Sequence, residues 1–124
     1  MNAEPLAGQT VLIVEDRYLI AAQLAEELER LGARVAGPCA RLQAAADALA
    51  REPVTAAILD VNLDGQAVYP LAEALADRGV PFLFLTGYDA EALPSEWRGR
   101  PRLTKPVELR ALREALSRLA SPSA

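Results

Sequence analysis

Five polar residues are of types that can hold a cation and transfer a phosphoryl group, and each comes at or just after the end of a short apolar run. They are Glu15, Asp16, Asp60, Thr86 and Lys105. Taken singly, each has an ordinary interpretation, since an aspartate or threonine after a strand is often a helix cap. Taken together at one edge of a sheet, the three carboxylates would repel one another unless a cation lay among them.

The chemistry that such a set can support is phosphoryl transfer to a carboxylate. Oxygen ligands in a chain without histidine favour Mg²⁺ or Ca²⁺ over zinc, and beside a cation one carboxylate can act as a nucleophile. Transfer also needs positive charge near the phosphoryl oxygens, which Lys105, the only lysine, and the hydroxyl of Thr86 help to supply. Gly87 leaves room for a phosphoryl group beside Asp60. The set predicts an aspartyl-phosphate site.

Short strands that alternate with helices would bring these side chains to one edge. The apolar runs are continuous rather than alternating, as in parallel strands that are buried on both faces. The predicted strands are Thr10–Val14, Arg34–Gly37, Ala56–Leu59, Pro81–Leu85 and a weak one at Arg100–Leu103. The predicted helices are one that carries Ile20 to Leu31, then Leu42–Arg51, Val68–Asp77, Ala90–Trp97 and Val107–Leu119. This order predicts an α/β fold, a flavodoxin-like (βα)5 doubly wound parallel sheet with strand order 2-1-3-4-5.

Length and composition exclude several other classes of protein. For 124 residues we expect one domain over 1–124, with a core of about 10–119 and flexible ends at 1–9 and 120–124. The absence of histidine and the single cysteine, Cys39, exclude Ser-His-Asp catalysis, Cys-His zinc sites and internal disulfides. The net charge of −4 argues against nucleic-acid binding. No apolar run approaches the ~20 residues of a membrane span, so we expect a cytoplasmic protein without membrane contact.

Four motifs carry a resemblance to a known family. VLIVED, AAILDVNL, FLFLTGYD and LTKP occur in this order and, together, resemble the receiver domain of two-component response regulators over about Thr10 to Leu119. The resemblance implies that Asp60 accepts a phosphoryl group from the phosphohistidine of a sensor histidine kinase or of a phosphotransfer protein. It also implies that the phosphorylated domain changes conformation and signals to a downstream protein partner.

The resemblance further implies roles for the other site residues. Lys105 would pair with Asp60 and then with the phosphoryl oxygen, and Thr86 would move toward the phosphate. The Lys105–Pro106 peptide is expected to be cis, which is otherwise uncommon even before proline. The implied ligands of Mg²⁺ are Asp16 and Asp60 directly, Glu15 through water, and the backbone carbonyl of Asn62.

One position departs from the family pattern. Most receivers carry an aromatic residue three positions before the lysine, where this chain has Arg102. The stretch FLTGYD resembles the signature of an atypical receiver subgroup known by its Phe-Ala-Thr-Gly motif, whose members lack that aromatic and often partner kinases of the HWE or related classes. We therefore expect Gly87–Arg98 to reorder on phosphorylation, with Thr86, Gly87 and Tyr88 as the switch residues and Tyr88 as the moving aromatic. Trp97 is expected to lie at the surface.

Two other classes of function stay open at this point. A small Mg²⁺-dependent aspartyl phosphatase would place a second acid two residues after the nucleophile, where this sequence has Asn62. A binding module would be a flavodoxin-like FMN carrier or a phosphorylation-independent pseudo-receiver, but Glu15 and Asp16 would repel a flavin phosphate and no site residue of a receiver is missing. We expect a stand-alone receiver, a monomer or weak homodimer, that is not an enzyme and whose only reactions are its own phosphorylation and dephosphorylation.

Overall fold

A five-stranded parallel sheet lies at the centre of the computed structural model, which describes residues 4–63, 65–87 and 93–120. The strands along the chain are β1 (Thr10–Val14), β2 (Arg34–Cys39), β3 (Ala56–Asp60), β4 (Asn62–Leu63), β5 (Gln66–Ala67), β6 (Phe82–Thr86) and β7 (Arg102–Thr104). β4 and β5 form a separate antiparallel hairpin, and the other strands take the order β2-β1-β3-β6-β7 with parallel pairing. Because β4 and β5 are not part of this sheet, β6 and β7 are its fourth and fifth strands. The predicted flavodoxin-like order 2-1-3-4-5 is therefore confirmed.

Helices cover both faces of this sheet. They are α1 (Tyr18–Arg30), α2 (Leu42–Arg51), α3 (Tyr69–Asp77) and α4 (Leu109–Ala120). The helix predicted over Ala90–Trp97 is wrong in its described part, where Ser95–Trp97 form only a 3-10 turn; residues 88–92 lie outside the described residues. Pro94 precedes that turn and disfavours helical backbone at the residue before it. No helix in the described ranges is long and apolar enough to cross a membrane.

The two faces of the sheet form two cores, which explains why the apolar runs are continuous. In β1, Leu12 and Val14 pack into one core with α2 and α3, whereas Val11 and Ile13 pack into the other with α1 and α4. All four side chains are at most 1% exposed. A parallel strand covered by helices on both sides needs apolar residues at successive positions.

Two strands run one residue further than predicted, and this places functional groups on the sheet itself. β3 ends with Asp60 and β6 ends with Thr86. Asp60 pairs with Leu85 and Thr86 pairs with Thr104 in the ladder. Because the backbone of both residues is held by sheet pairing rather than by a loop, the positions of their side chains are well defined.

β2 also continues past its predicted end at Gly37. A cis peptide joins Gly37 to Pro38, and the strand ends at Cys39. Gly37 has a φ of 92°, and a Cβ atom there would lie 2.7 Å from the backbone nitrogen of Cys39, so only glycine fits. The carbonyl of Cys39 accepts the N–H of Glu15 at 3.0 Å. The extra residues of β2 therefore anchor the end of β1, where the acidic residues begin.

Residues 1–9 are expected from the sequence to form a flexible end, and their described part, residues 4–9, contacts the core. Leu6 is 1% exposed and packs into the core beside α1. Its N–H donates to the carbonyl of Leu31 at 2.9 Å, and the carbonyl of Gln9 accepts the N–H of Arg34 at 2.9 Å. One leucine in a polar segment shows no periodic pattern, yet burying it contributes about 2 kcal/mol to folding.

The expectation that Trp97 lies at the surface is wrong. Its side chain is buried, with its ring stacked on Tyr69 at 6.5 Å between centroids. Phe82 and Phe84 form T-shaped pairs with the same ring, with distances of 6.0 and 6.1 Å between ring centroids. The guanidinium of Arg100 lies 4.7 Å above the ring of Phe82 and covers the cluster. These contacts come from α3 and β6, so the sequence around Trp97 alone does not reveal them.

Candidate functional site

Three carboxylates meet at the carboxyl ends of β1 and β3. These strands are neighbours and pair Val14 with Leu59, so Glu15 and Asp60 come side by side at the next position. Asp16 follows in the turn to α1. One carboxylate oxygen from each of the three acids lies within 4.8 Å of the others. Glu15 and Asp60 are buried and Asp16 is half-buried.

Lys105 places its ammonium group between two of these carboxylates. Its Nζ lies 2.9 Å from Oε1 of Glu15 and 3.3 Å from Oδ2 of Asp60. The backbone N–H of Lys105 donates to the carbonyl of Thr86 at 2.8 Å, which ties the segment after β7 to the end of β6. The Lys105–Pro106 peptide is cis. The structure thus brings the predicted lysine into contact with two of the predicted acids.

The site carries more negative than positive charge. Burial and the neighbouring Glu15 carboxylate raise the pKa of Asp60 from 3.8 to about 6, although Lys105 and the backbone N–H of Asn62 act in the opposite direction. Oε1 of Glu15 lies at ion-pair distance from Lys105, but the geometry of this contact is not that of a hydrogen bond. Oε1 therefore has no hydrogen-bond partner in the described part of the chain. Buried carboxylates in this state are stabilised by a cation. The three oxygen donors fit a hard divalent cation such as Mg²⁺.

A cavity of about 530 Å³ lies beside Asp60. Asn62, Gly87 and Lys105 line it together with Asp60. Thr86, one residue before Gly87, is buried, and its Oγ1 has no hydrogen-bond partner among the described residues. Because a buried hydroxyl without a partner costs free energy, a ligand with oxygen atoms in this cavity would offer the missing partner.

Asn62 holds the turn that follows β3. Its N–H donates to Oδ1 of Asp60 at 3.3 Å, and its side-chain oxygen accepts the N–H of Gly65 at 2.9 Å. The second bond closes the turn between β4 and β5, so the Asn62 side chain shapes the hairpin. Asn62, two residues after Asp60, also lines the cavity.

Of the three predicted switch residues, Thr86 and Gly87 lie at the end of β6, and Tyr88 lies outside the described residues. Arg102, in the place of the usual aromatic, is exposed on β7. Phe84 precedes Thr86 by two residues and therefore shares its face of β6. Since Phe84 packs against Trp97, the aromatic residues nearest to Thr86 among those that the structure describes belong to the buried aromatic cluster and not to β7.

Sequence reasoning missed the residues that begin α1. The backbone N–H of Arg17 donates to Oε2 of Glu15 at 3.0 Å, and Arg17 lines the cavity that contains Asp60. Tyr18 and Leu19 are 76% and 77% exposed, although both are large and apolar. The sequence signal that could have identified these residues was their position directly after the acidic pair, at the start of a predicted helix.

Comparison with protein-family models gives no match, and comparison with curated proteins gives none either. Solved structures do match. The solution structure of SdrG from Sphingomonas melonis Fr1 is similar with a TM-score of 0.81 and 39% identity, over 91% of this chain and 97% of that one. The receiver domain of the response regulator PhyR from Erythrobacter litoralis gives a TM-score of 0.81 and 31% identity, over 95% and 97% of the two chains. The BeF₃-activated conformation of SdrG, from Pseudomonas melonis Fr1, gives 0.78 and 38% identity, over 98% and 100%.

Proposed function

The chain belongs to the receiver domains of response regulators, and from this premise we propose that it is a phosphorylation-controlled switch with Asp60 as the phosphoryl acceptor. The observation that carries the proposal is the place of Asp60, which lines the cavity, contacts Lys105 and lies within 4.8 Å of the other two acids. The existence of a BeF₃-activated conformation of SdrG supports it, since beryllofluoride is a mimic of a phosphoryl group.

Transfer would begin with attack of an Asp60 oxygen on the phosphorus of a phosphorylated donor. The bond between phosphorus and the leaving atom of the donor breaks, the leaving atom keeps the electron pair, and an acyl phosphate forms on Asp60. Lys105, already 3.3 Å from Asp60, is placed to neutralise an oxygen of the transferred group. Its second contact, to Glu15, holds the ammonium at that position.

We propose Mg²⁺ as the cation of the site. Asp16 and Asp60 would bind it directly, with the backbone carbonyl of Asn62, and Glu15 would act through water. Lys105 and the backbone N–H of Arg17 already engage the two oxygens of Glu15, which favours an indirect role for that residue. When bound, Mg²⁺ supplies positive charge to the phosphoryl oxygens.

The signal would leave the site through Thr86. Its Oγ1 is buried at the end of β6, beside β3, and has no hydrogen-bond partner among the described residues. We propose that it turns to donate to a phosphoryl oxygen. The movement would carry the segment that begins at Gly87 with it and present a changed surface to a downstream protein partner.

Removal of the metal tests the proposed transfer. With Mg²⁺ and acetyl phosphate, the intact mass should rise by one phosphoryl group, and EDTA should prevent the gain, because the acids alone repel the donor. Mass spectrometry of the intact protein and of its peptides measures the gain and locates it. Renewed addition of Mg²⁺ should restore it. A gain that persists in EDTA, or that maps outside the peptide containing Asp60, would contradict the proposal.

The phosphoryl donor is proposed to be a sensor histidine kinase, of the HWE or a related class. The exposed large apolar side chains in the described part of the chain are Tyr18, Leu19 and Leu109. They lie in the first turns of α1 and α4, which follow the acidic pair and Lys105 respectively. Exposed apolar side chains grouped at the edge of a site indicate contact with another protein.

Tyr18 and Leu19 should therefore matter for a protein donor only. The variant Tyr18→Ala with Leu19→Ala is expected to slow phosphotransfer from the kinase about tenfold or more, because it removes apolar contact at the edge of the site. Phosphorylation by acetyl phosphate should change less than about twofold, since the small donor makes no use of that contact. Rates with both donors, measured on the same preparation, check this. Equal rates for variant and wild type with the kinase would exclude the contact.

A further inference from the structure

Arg17 is joined to the acidic site by its backbone and lines the cavity that contains Asp60. Its N–H donates to Oε2 of Glu15 at 3.0 Å, and Glu15 is buried and held by Lys105. The residue is the N-cap of α1 and is exposed. Its main chain is thus anchored on a fixed carboxylate, and the residue lines the cavity of about 530 Å³ that contains Asp60.

The two cationic residues of this cavity differ in whether they already have an ion-pair partner. Lys105 is 19% exposed and contacts both Glu15 and Asp60. Arg17 has no ion-pair partner in the ranges that the structure describes. The inner cation is therefore engaged by the acids, and the outer one is available to a molecule that enters the cavity.

In-line transfer fixes which part of a donor faces Arg17. The attacking oxygen and the leaving atom lie on opposite sides of the phosphorus. Asp60, 6% exposed, attacks from the inner wall, so the leaving group points outward. Arg17 lines the same cavity and, unlike Asp60, is exposed, and from this difference we infer that its guanidinium lies on the side of the leaving group.

A guanidinium at this position would distinguish leaving groups by their charge. An acyl phosphate releases a carboxylate, on which negative charge develops as the phosphorus–oxygen bond breaks. A phosphoramidate releases an amine, which takes up a proton and leaves without negative charge. Guanidinium binds carboxylate oxygens through two parallel N–H donors, so it stabilises the first leaving group and does nothing for the second.

We propose that Arg17 is a donor-selecting residue that favours acyl phosphates over phosphoramidates as phosphoryl donors, by binding the carboxylate that leaves. The inference rests on the proposed function, since it assumes that Asp60 is the acceptor. With acetyl phosphate the balanced step is attack of Asp60 on phosphorus, breakage of the bond to the acetyl oxygen, and release of acetate with the electron pair.

The test compares two donors on the full chain with Mg²⁺. Arg17→Gln should lower the second-order rate constant for acetyl phosphate about tenfold and that for phosphoramidate less than about twofold. Arg17→Lys, which keeps the charge without the paired donors, should fall between wild type and Arg17→Gln with acetyl phosphate. Arg118→Gln makes the same charge change in the last turn of α4 and should leave both constants unchanged. Mass spectrometry of timed samples measures the rates.

Beryllofluoride separates donor selection from damage to the site. It has no leaving group, so Arg17→Gln should bind it with Mg²⁺ as wild type does, as followed by fluorine NMR. An unchanged ratio of the two rate constants in Arg17→Gln, or loss of beryllofluoride binding, would overturn the role of Arg17. Failure of wild type to take up a phosphoryl group from either donor would instead overturn the proposed function itself.

Discussion

Replacement of Asp60 by asparagine is expected to abolish phosphoryl uptake and, in metal-free buffer, to stabilise the protein. The first effect follows because an amide oxygen is not a nucleophile toward phosphorus. The second follows because the variant removes a buried negative charge beside Glu15 and Asp16. Lys105 keeps its 2.9 Å contact with Glu15, and the new amide can donate to that carboxylate. We expect a gain of about 1–3 kcal/mol in the free energy of unfolding at pH 7.

The gain should depend on pH in a defined direction. The pKa of Asp60 is raised from 3.8 to about 6 by burial and by Glu15, so its ionisation destabilises the folded state. That destabilisation is absent below about pH 4, grows as the pH rises toward 6, and is complete at pH 7. Thermal unfolding of wild type and Asp60→Asn between pH 4 and 7, in EDTA, should show two curves that separate as the pH rises.

A surface aspartate provides the matched control. Asp47 is exposed on α2 and accepts a hydrogen bond from Gln43 at 3.0 Å. Asp47→Asn makes the same chemical change outside the site and should alter neither phosphoryl uptake nor its response to Mg²⁺. Phosphoryl uptake by Asp60→Asn would show that Asp60 is not the acceptor. A lower stability of that variant in EDTA would show that the charge of Asp60 does not destabilise the folded protein.

Much of the site could be predicted because it lies at the ends of strands that have clear local signals. The run before Glu15 and Asp16 and the run before Asp60 are continuous and apolar, which identifies two buried parallel strands. Neighbouring parallel strands end at the same edge, so their following acids must meet. The same reasoning identified Thr86 without any knowledge of the register, whereas Lys105 follows a weak strand and was identified because it is the only lysine.

What the sequence could not reveal depends on contacts between distant segments. The Lys105–Glu15 pair joins residues from the two ends of the chain, and the pocket of Trp97 is built by Tyr69 and Phe82. Such contacts leave no periodic pattern in the segment that carries them. The donor-selecting position of Arg17 was hidden for the same reason, because an exposed arginine after an acidic pair has the same local sequence whether or not a cavity lies beside it.

Replacement of Lys105 by methionine is expected to abolish phosphoryl transfer as well, but with the opposite effect on stability. Lys105 is the only lysine, and its Nζ contacts two acids, one of which has a fully buried side chain. Methionine keeps the apolar stem and removes the charge, which leaves Glu15 and Asp60 without their cation. Loss of one partner from a buried ion pair costs about 3–5 kcal/mol, so urea denaturation in EDTA should show a large loss of stability.

Two further variants separate the charge from the packing of this side chain. Arg102→Met removes an exposed cation three residues earlier and should change stability little, since exposed charges contribute about 0–1 kcal/mol. In Lys105→Met combined with Asp60→Asn, one of the two unpaired acids is neutral, so the cost of losing the lysine should be smaller than in Lys105→Met alone. Equal costs in both backgrounds would mean that the lysine stabilises the fold by packing, and its proposed role at the phosphoryl group would lose its electrostatic basis. A smaller cost with Asp60→Asn, without recovery of phosphoryl uptake, is what a charge-neutralising lysine beside the acceptor requires.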